Sequence, residues 1–107
     1  MGRWLLSVET TCRDRSREEE FNRWYDEIHI PDVLKGCPEF RTCRRYRQLS
    51  DPGGKESYLA FIEIETEDIV RTMENLRKTG ERIRAEGRWA DLVEIISRRL
   101  YQLDREL

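Results

Sequence analysis

The sequence has few of the residues that build metal centres and disulfide frameworks. Its 107 residues include one histidine, three cysteines and three prolines. Cys12, Cys37 and Cys43 are odd in number and lack C-x-x-C spacing, which argues against a disulfide framework and against a zinc site within one chain. We expect reduced thiols that pack as small apolar residues; a nucleophilic cysteine would need His29 as its base. The expected protein uses no metal ion and no other cofactor.

Long apolar runs and a dominant charge of one sign are also missing. Charged residues make up 39% of the chain, yet the formal net charge is only -2, so charges of both signs are interspersed. No apolar run reaches the roughly 20 residues that a membrane-spanning helix needs. We therefore expect a cytoplasmic protein with no membrane partner. The arginines of residues 41–47 alternate with other residue types as on a solvated strand, so no nucleic-acid partner is expected.

Alternating apolar residues and turn signals divide the chain into six elements. We predict strands over residues 3–12, 39–49, 57–65 and 89–103, and helices over about 17–29 and 67–86 that are capped by Ser16 and Thr66. Asp51-Pro52-Gly53-Gly54 is the strongest turn signal and joins the second and third strands. This order predicts an α+β, ferredoxin-like βαββαβ fold. One domain over residues 1–107 would contain a four-stranded antiparallel sheet with two helices on one face.

Strand alternation also assigns side chains to the two faces of the predicted sheet. It groups Phe40, Thr42, Arg44 and Tyr46 in the second strand, and Val93, Ile95 and Tyr101 in the fourth. The third strand is apolar on both faces over part of its length, whereas two helices can cover only one face. A second copy packed sheet to sheet would cover the other face, so we expect a homodimer.

The stretch from residue 21 to residue 46 contains the only histidine. At about 100° per residue, one face of a helix here is an apolar stripe of Phe21, Trp24, Tyr25 and Ile28. A polar seam lies beside this stripe and consists of Asn22, Asp26 and His29. Pro31 disfavours helix at Ile30, which would place His29 in the last turn, where unpaired carbonyls favour an imidazolium. Residues 30–36 would then form a turn or a short helical piece that Gly36 closes. His29 is thus a candidate site, and a satisfied structural histidine is the alternative.

Three motifs carry a resemblance to a known family. They are Asn22-x-Trp24-Tyr25-x-x-x-His29-Ile30-Pro31-Asp32, Cys37-Pro38-x-Phe40 and Arg44-Arg45-Tyr46. This pattern resembles the EthD-like members of the dimeric α+β barrel superfamily, except that Glu39 follows Pro38 where such proteins usually have glycine. The resemblance implies a small-molecule pocket in each subunit, between the helices and the concave sheet face. Its implied lining is Asn22, Trp24, Tyr25, His29, Phe40, Arg44 and Tyr46.

The resulting functional hypothesis is a cofactor-independent enzyme for a small oxygenated cyclic or aromatic substrate. His29 would act as general acid and base, oriented by Asp26 or Asp32, in cyclisation, dehydration, isomerisation or oxygenation. The alternative is a non-catalytic protein that binds a small molecule or assists another enzyme. Core packing is the alternative role for the aromatic residues, and an ion pair with Asp26 or Asp32 is the alternative for Arg44. Haem binding fits poorly, because haem-binding relatives place their axial histidine on a later helix.

Overall fold

The sheet of the computed structural model, which describes residues 2–49 and 56–107, has four antiparallel strands in the order β2-β3-β1-β4. The strands are β1 (Gly2–Cys12), β2 (Phe40–Arg47), β3 (Tyr58–Thr66) and β4 (Val93–Gln102). The helices are α1 (Glu18–Trp24), α2 (Ile30–Gly36) and α3 (Ile69–Ala85). The predicted ferredoxin-like α+β fold is therefore confirmed. The predicted turn at Asp51-Pro52-Gly53-Gly54 lies outside the described residues.

The first helical segment does not end before Ile30, so that boundary is wrong, whereas the short helical piece expected as one possibility over residues 30–36 is α2. A π-helical turn, Tyr25–His29, joins α1 to α2, and the Ile30 amide donates to the Tyr25 carbonyl across five residues. Such a turn widens the helix locally, and Pro31, in the first turn of α2, has no amide hydrogen that needs an acceptor. His29 therefore lies in the middle of a continuous helical segment. It does not lie among the unpaired carbonyls of a last turn.

The two predicted helix caps, Ser16 and Thr66, are also displaced by nearby carboxylates. Asp14 accepts from the Ser16 amide at the start of a 3-10 turn, Arg15–Arg17, that precedes α1. Asp68 accepts from the Arg71 amide at the start of α3, and the Thr66 hydroxyl accepts from the Asp68 amide. An ionised carboxylate is a stronger acceptor than a hydroxyl for the free amides of a first turn.

A β-bulge in β2 reverses the predicted faces of that strand. Phe40 pairs with Ile64 but Thr42 pairs with Glu63, so Arg41 is the extra residue. Because side chains alternate, one extra residue moves every later side chain to the other face. Phe40, Cys43 and Arg45 therefore share the helix face, whereas Thr42, Arg44 and Tyr46 lie on the outer face. β4 has a second bulge, at Ile96. It puts Tyr101 on the outer face, whereas Val93 and Ile95 lie on the helix face.

The core lies between the helices and one face of the sheet. Its largest fully buried side chains include Phe21 of α1, Leu6 of β1 and Ile64 of β3. Cys12 and Cys37 are buried, Cys43 is partly buried, and all three are free thiols, as expected. Burial raises the pKa of Cys37 and of Cys43. No helix among the described residues is long and apolar enough to cross a membrane.

Candidate functional site

A cavity of about 260 Å³ opens between the sheet and the helices. Its apolar surface includes Leu6 and Val8 of β1, Ile62 of β3 and Ile95 of β4. The π-helical turn contributes Tyr25 and His29, and α3 contributes one side of the opening. Most of the cavity surface is therefore apolar, as is usual for pockets that bind small molecules.

His29 sits among three aromatic rings at the cavity wall. Its ring centroid lies 4.9 Å from that of Trp24, 5.1 Å from that of Tyr25 and 5.4 Å from that of Trp89. Nδ1 is enclosed and has no hydrogen-bond partner among the described residues. The residue as a whole is partly exposed and borders the cavity, so the exposed part of its side chain is not Nδ1. Without an acceptor for an Nδ1 proton, the tautomer is not fixed by a hydrogen bond within this part of the chain.

Burial determines the charge state of His29. Removal from water lowers its pKa from an ordinary 6.5 to about 4; the charge of Asp32 raises the pKa and that of Arg98 lowers it, both by less. The imidazole is therefore neutral at neutral pH. This reverses the expectation of an imidazolium favoured by a helix end, because His29 lies within a continuous helical segment and three aromatic rings surround it.

Tyr25 contributes a protonated phenol to the same wall. Its side chain is buried, and burial raises its pKa to about 12. The charges of Arg45 and Arg98 lower the pKa of Tyr25, but by less than burial raises it. The neighbouring Thr10 hydroxyl also lowers this pKa, although its contact with Tyr25 falls short of a full hydrogen bond. Tyr25 therefore remains a hydrogen-bond donor throughout the neutral range.

Arg45 supports Tyr25 from the sheet. Its guanidinium carbon lies 4.3 Å from the ring centroid of Tyr25, 4.2 Å from that of Tyr58 and 5.3 Å from that of Phe21. Nη1 donates to Asp26 at 3.3 Å, whereas Nε and Nη2 are buried without a hydrogen-bond partner among the described residues. The rings and one carboxylate thus compensate for the buried charge.

Arginines surround the opening of the cavity. Arg77 donates to both Glu74 and Glu81, and Arg84 lies 4.4 Å from the ring centroid of Trp89. Arg98 extends from β4 on the helix face, where it pairs in register with Val8. The opening is therefore rich in guanidinium groups although the chain has a net charge of -2.

The two predicted carboxylates form ion pairs with arginines. Asp26 pairs with Arg45, and Asp32 accepts from Arg88 through both oxygens, at 2.7 and 3.1 Å. The bond to Arg88 lowers the pKa of Asp32. Neither carboxylate is hydrogen-bonded to His29 in the described part of the chain, so the influence of Asp32 on His29 is exerted through its charge.

Among the predicted lining residues, Tyr25 and His29 border the cavity. Three others have structural contacts on the helix side: Asn22 donates to the Tyr58 hydroxyl at 3.2 Å, Trp24 donates to the Arg88 carbonyl at 3.1 Å, and Phe40 is in the core. The remaining two are on the outer face because of the β2 bulge.

On that outer face, Arg44 donates to Glu63 at 2.6 Å, so its expected pairing with Asp26 or Asp32 is wrong. Tyr46 packs against Phe61 with ring centroids 5.3 Å apart. No comparable signal in the sequence selects Thr10, Trp89 or Arg98, because strand pairing and long-range packing bring them to the cavity. Within residues 2–49 and 56–107, no three histidine, cysteine or acidic side chains cluster as metal ligands.

Sequence comparison finds partial relatives. No protein-family model matches the chain. It is 30% identical over 93 residues to glutamate–tRNA ligase 2 of Bartonella quintana and 29% identical over 93 residues to glutamate–tRNA ligase 1 of Bartonella henselae. These matches cover 84% of this chain but 20% and 19% of the ligases. The chain thus spans about a fifth of the length of the curated relatives it matches.

Solved structures match over nearly the whole chain. An EthD family protein from Bacillus halodurans has a TM-score of 0.57 and 16% identity, with 100% of both chains covered. HapK from Hahella chejuensis has a TM-score of 0.62 and 12% identity, covering 97% of this chain and 96% of its own. A NIPSNAP family protein from Agrobacterium tumefaciens has a TM-score of 0.55 and 12% identity, and the match covers 95% of this chain and 89% of that protein's chain. The chain therefore has the ferredoxin-like α+β fold of the EthD-like group, as its residue pattern predicted.

Proposed function

We propose that the cavity binds a small oxygenated cyclic or aromatic molecule and that His29 moves a proton on it, without a cofactor. The observation that carries this proposal is a histidine on the wall of a mostly apolar cavity, where burial lowers its pKa and so favours the neutral imidazole. A neutral imidazole nitrogen can accept a proton. Tyr25, which borders the same cavity, stays protonated and can donate a hydrogen bond.

The proposed reaction begins with removal of a proton from a carbon beside a carbonyl group. The proton goes to Nε2 of His29, and the electron pair of the broken C–H bond moves onto the carbonyl oxygen. Tyr25 donates a hydrogen bond to this oxyanion, and the charge of Asp32 favours the imidazolium that has formed. Return of the proton to a different carbon completes an isomerisation. In a cyclisation, the enolate carbon forms a bond to a second carbonyl carbon of the same molecule, the π bond of that carbonyl breaks, and its oxygen takes the proton from His29.

A pKa of about 4 makes the free imidazole a weak base. A negative charge that develops on the substrate would raise the pKa of His29 while the proton is being transferred, because opposite charges stabilise each other in a buried site. The site would thereby become more basic only when substrate is in place. The burial that lowers the resting pKa also keeps the imidazole unprotonated and ready to accept a proton at neutral pH.

A non-catalytic ligand carrier is the second candidate. It is favoured by the low pKa of His29 and by the lack, among the described residues, of an acceptor that would fix the Nδ1 proton. In this role His29 would only hydrogen-bond a ligand oxygen.

The partial similarity to glutamate–tRNA ligases does not favour an RNA-binding role, because three arginines of β2 already form ion pairs with carboxylates. These pairs are Arg41–Glu65, Arg44–Glu63 and Arg45–Asp26.

We also propose that the functional unit is a homodimer built on the outer face of the sheet. Phe61 and Tyr46 pack edge to face there, and the same face carries Leu5, Leu59 and Tyr101 in register. Tyr46 is 52% exposed and Tyr101 is 48% exposed. A sheet-to-sheet dimer would cover this surface. Light scattering should give twice the chain mass, and Phe61→Glu should give a monomer, whereas Val70→Glu, on the exposed surface of α3, should leave the dimer intact.

Solvent exchange tests the proton transfer without a known substrate. The protein is incubated in D₂O with a panel of small cyclic and aromatic ketones and β-keto acids, and loss of the proton signal beside the carbonyl is followed by NMR. We expect accelerated exchange for members of the panel. His29→Ala should lower the rate by about two to four powers of ten, and His29→Gln should not restore it, because an amide does not accept a proton at neutral pH.

The carrier candidate predicts a different result from the same samples. Panel members would bind without accelerated exchange, and His29→Ala would change their affinity by a small factor. Exchange that proceeds equally fast in wild type and His29→Ala would remove His29 from the proposed chemistry. Circular dichroism of each variant checks that the fold is retained.

A further inference from the structure

We infer that the ligand of the cavity is an anion, a ring compound that carries a carboxylate, and that Arg98 binds the charged group. This inference rests on the proposed function, because it names the class of molecule that the same cavity accepts. Its basis is the distribution of charge around the opening and the position of Arg98 relative to His29.

The cavity lining is electropositive. It includes three guanidinium groups, those of Arg77, Arg84 and Arg98, but a single carboxylate, that of Glu81. Arg77 is neutralised by Glu74 and Glu81. Neither Arg84 nor Arg98 forms an ion pair within residues 2–49 and 56–107. In a chain whose net charge is -2, this local excess of cations marks the opening as a place that attracts anions.

Arg84 has a partner of another kind, whereas Arg98 has no ion pair or cation–π contact within residues 2–49 and 56–107. The guanidinium of Arg84 lies over the ring of Trp89, which itself borders the cavity. Arg98 lies on the helix face of β4, beside the apolar Ile95 and opposite Val8. Arg98, His29 and Tyr25 all border this cavity, and the charge of Arg98 lowers the pKa of both other groups. Arg98 is therefore the cation that is placed and available to pair with a ligand.

A planar carboxylate suits this geometry better than a neutral molecule. Guanidinium groups bind carboxylates through two parallel hydrogen bonds, which fix orientation as well as affinity. With the carboxylate at Arg98, the ring of the ligand would contact Val8, Ile62 and Ile95. Its reacting carbon or oxygen would then face His29 and Tyr25.

Matched acids and amides test this inference directly. Benzoate, 2-hydroxybenzoate, 1-hydroxy-2-naphthoate and cyclohexanecarboxylate are titrated by calorimetry beside their carboxamides. We expect wild type to bind at least one acid about ten to a hundred times more tightly than its amide. Arg98→Gln should abolish that preference and leave the amide affinity unchanged. Arg99→Gln is the matched control, because the neighbouring arginine lies on the outer face, opposite Ser7.

Each other result has a defined meaning. Equal affinity of acids and amides for wild type would overturn the inference and leave the proposed function standing. A preference for acids that survives in Arg98→Gln would overturn the assignment to Arg98. If neither half of the panel binds, the inference and the proposed binding of small ring compounds both fail. Added sodium chloride should weaken binding of the acids and not of the amides, and the opposite result would also overturn the inference.

Discussion

The imidazole of His29 lies nearly parallel to the indole of Trp24, with ring centroids 4.9 Å apart and an interplanar angle of 17°. The indole is fixed in turn, because its Nε1 donates to the Arg88 carbonyl at 3.1 Å. The Arg88 side chain holds Asp32, the carboxylate whose charge acts on His29. Trp24 was predicted to line the ligand site. The structure gives it contacts that hold and shield the histidine.

The stack with Trp24 predicts how the pKa of His29 responds to substitution. Because burial is the main cause of its low value, Trp24→Leu should move the pKa from about 4 toward the ordinary 6.5. Trp24→Phe keeps an aromatic ring over the imidazole, so the pKa of His29 should stay close to its wild-type value. The chain has one histidine, so a single imidazole resonance reports the titration by NMR without assignment. A wild-type pKa near 6.5 would contradict the buried position of the ring.

The low pKa also predicts a loss of stability in acid. The unfolded chain takes up a proton at His29 as the pH falls through about 6.5, while the folded chain does so only near pH 4. The free energy of unfolding is therefore highest above about pH 6.5 and decreases by about 1.4 kcal/mol per pH unit until the folded group titrates.

Comparison with His29→Leu isolates this contribution from that of the carboxylates. Between pH 7.5 and pH 5, wild type should lose about 2 kcal/mol more than the variant. Urea denaturation at both pH values measures the difference. Equal losses in the two proteins would show that His29 titrates at its ordinary pKa in the folded state.

Close packing of α2 on α3 predicts opposite effects for two glycines. A Cβ at Gly36 would collide with the side chain of Thr79, whereas a Cβ at Gly80 meets nothing within 4 Å. Gly36→Ala should destabilise the protein by about 1–3 kcal/mol, and Gly80→Ala should stabilise it by about 0.5–1 kcal/mol, because alanine favours a helix interior. Thermal unfolding measures both. In a Thr79→Ala background, Gly36→Ala should destabilise the protein by less, because the colliding side-chain atoms are gone. An unchanged destabilisation would show that the collision with Thr79 is not its cause.

The fold could be predicted because its signals are local. Alternation along β1 and β3, the helical spacing in α3 and the order of the elements each depend on neighbouring residues. Tyr25 and His29 could be selected for the same reason, since they lie in one helical segment beside a distinctive motif. Both border the cavity.

The rest of the site depends on contacts between distant parts of the chain. Thr10, Trp89 and Arg98 meet His29 or Tyr25 only after β1 pairs with β4 and the segment before β4 packs on the helix. The π-helical turn depends on tertiary packing as well, because Pro31 taken alone predicts a helix end. Nothing in the local sequence around these residues distinguishes them from other core or surface positions.

The bulge in β2 is the clearest case, and it separates two neighbouring arginines. Strict alternation put Arg44 toward the helices and Arg45 toward the outer face. The extra residue at Arg41 exchanges them, so Arg45 is enclosed by aromatic rings with a 15% exposed side chain and Arg44 pairs with Glu63 at the surface. The two side chains therefore differ in environment although they are identical in chemistry and adjacent in sequence.

This exchange predicts unequal effects of truncating the two arginines. Arg45→Ala should destabilise the protein by about 2–3 kcal/mol, because it leaves a cavity among three rings and removes their cation. Arg44→Ala should leave the midpoint of urea denaturation close to that of wild type, since an exposed ion pair contributes little. Arg45→Met fills the space without the charge, so it should fall between Arg45→Ala and wild type. A larger destabilisation by Arg44→Ala than by Arg45→Ala would contradict the bulge, because regular alternation from Phe40 would place Arg44 on the helix face instead of Arg45.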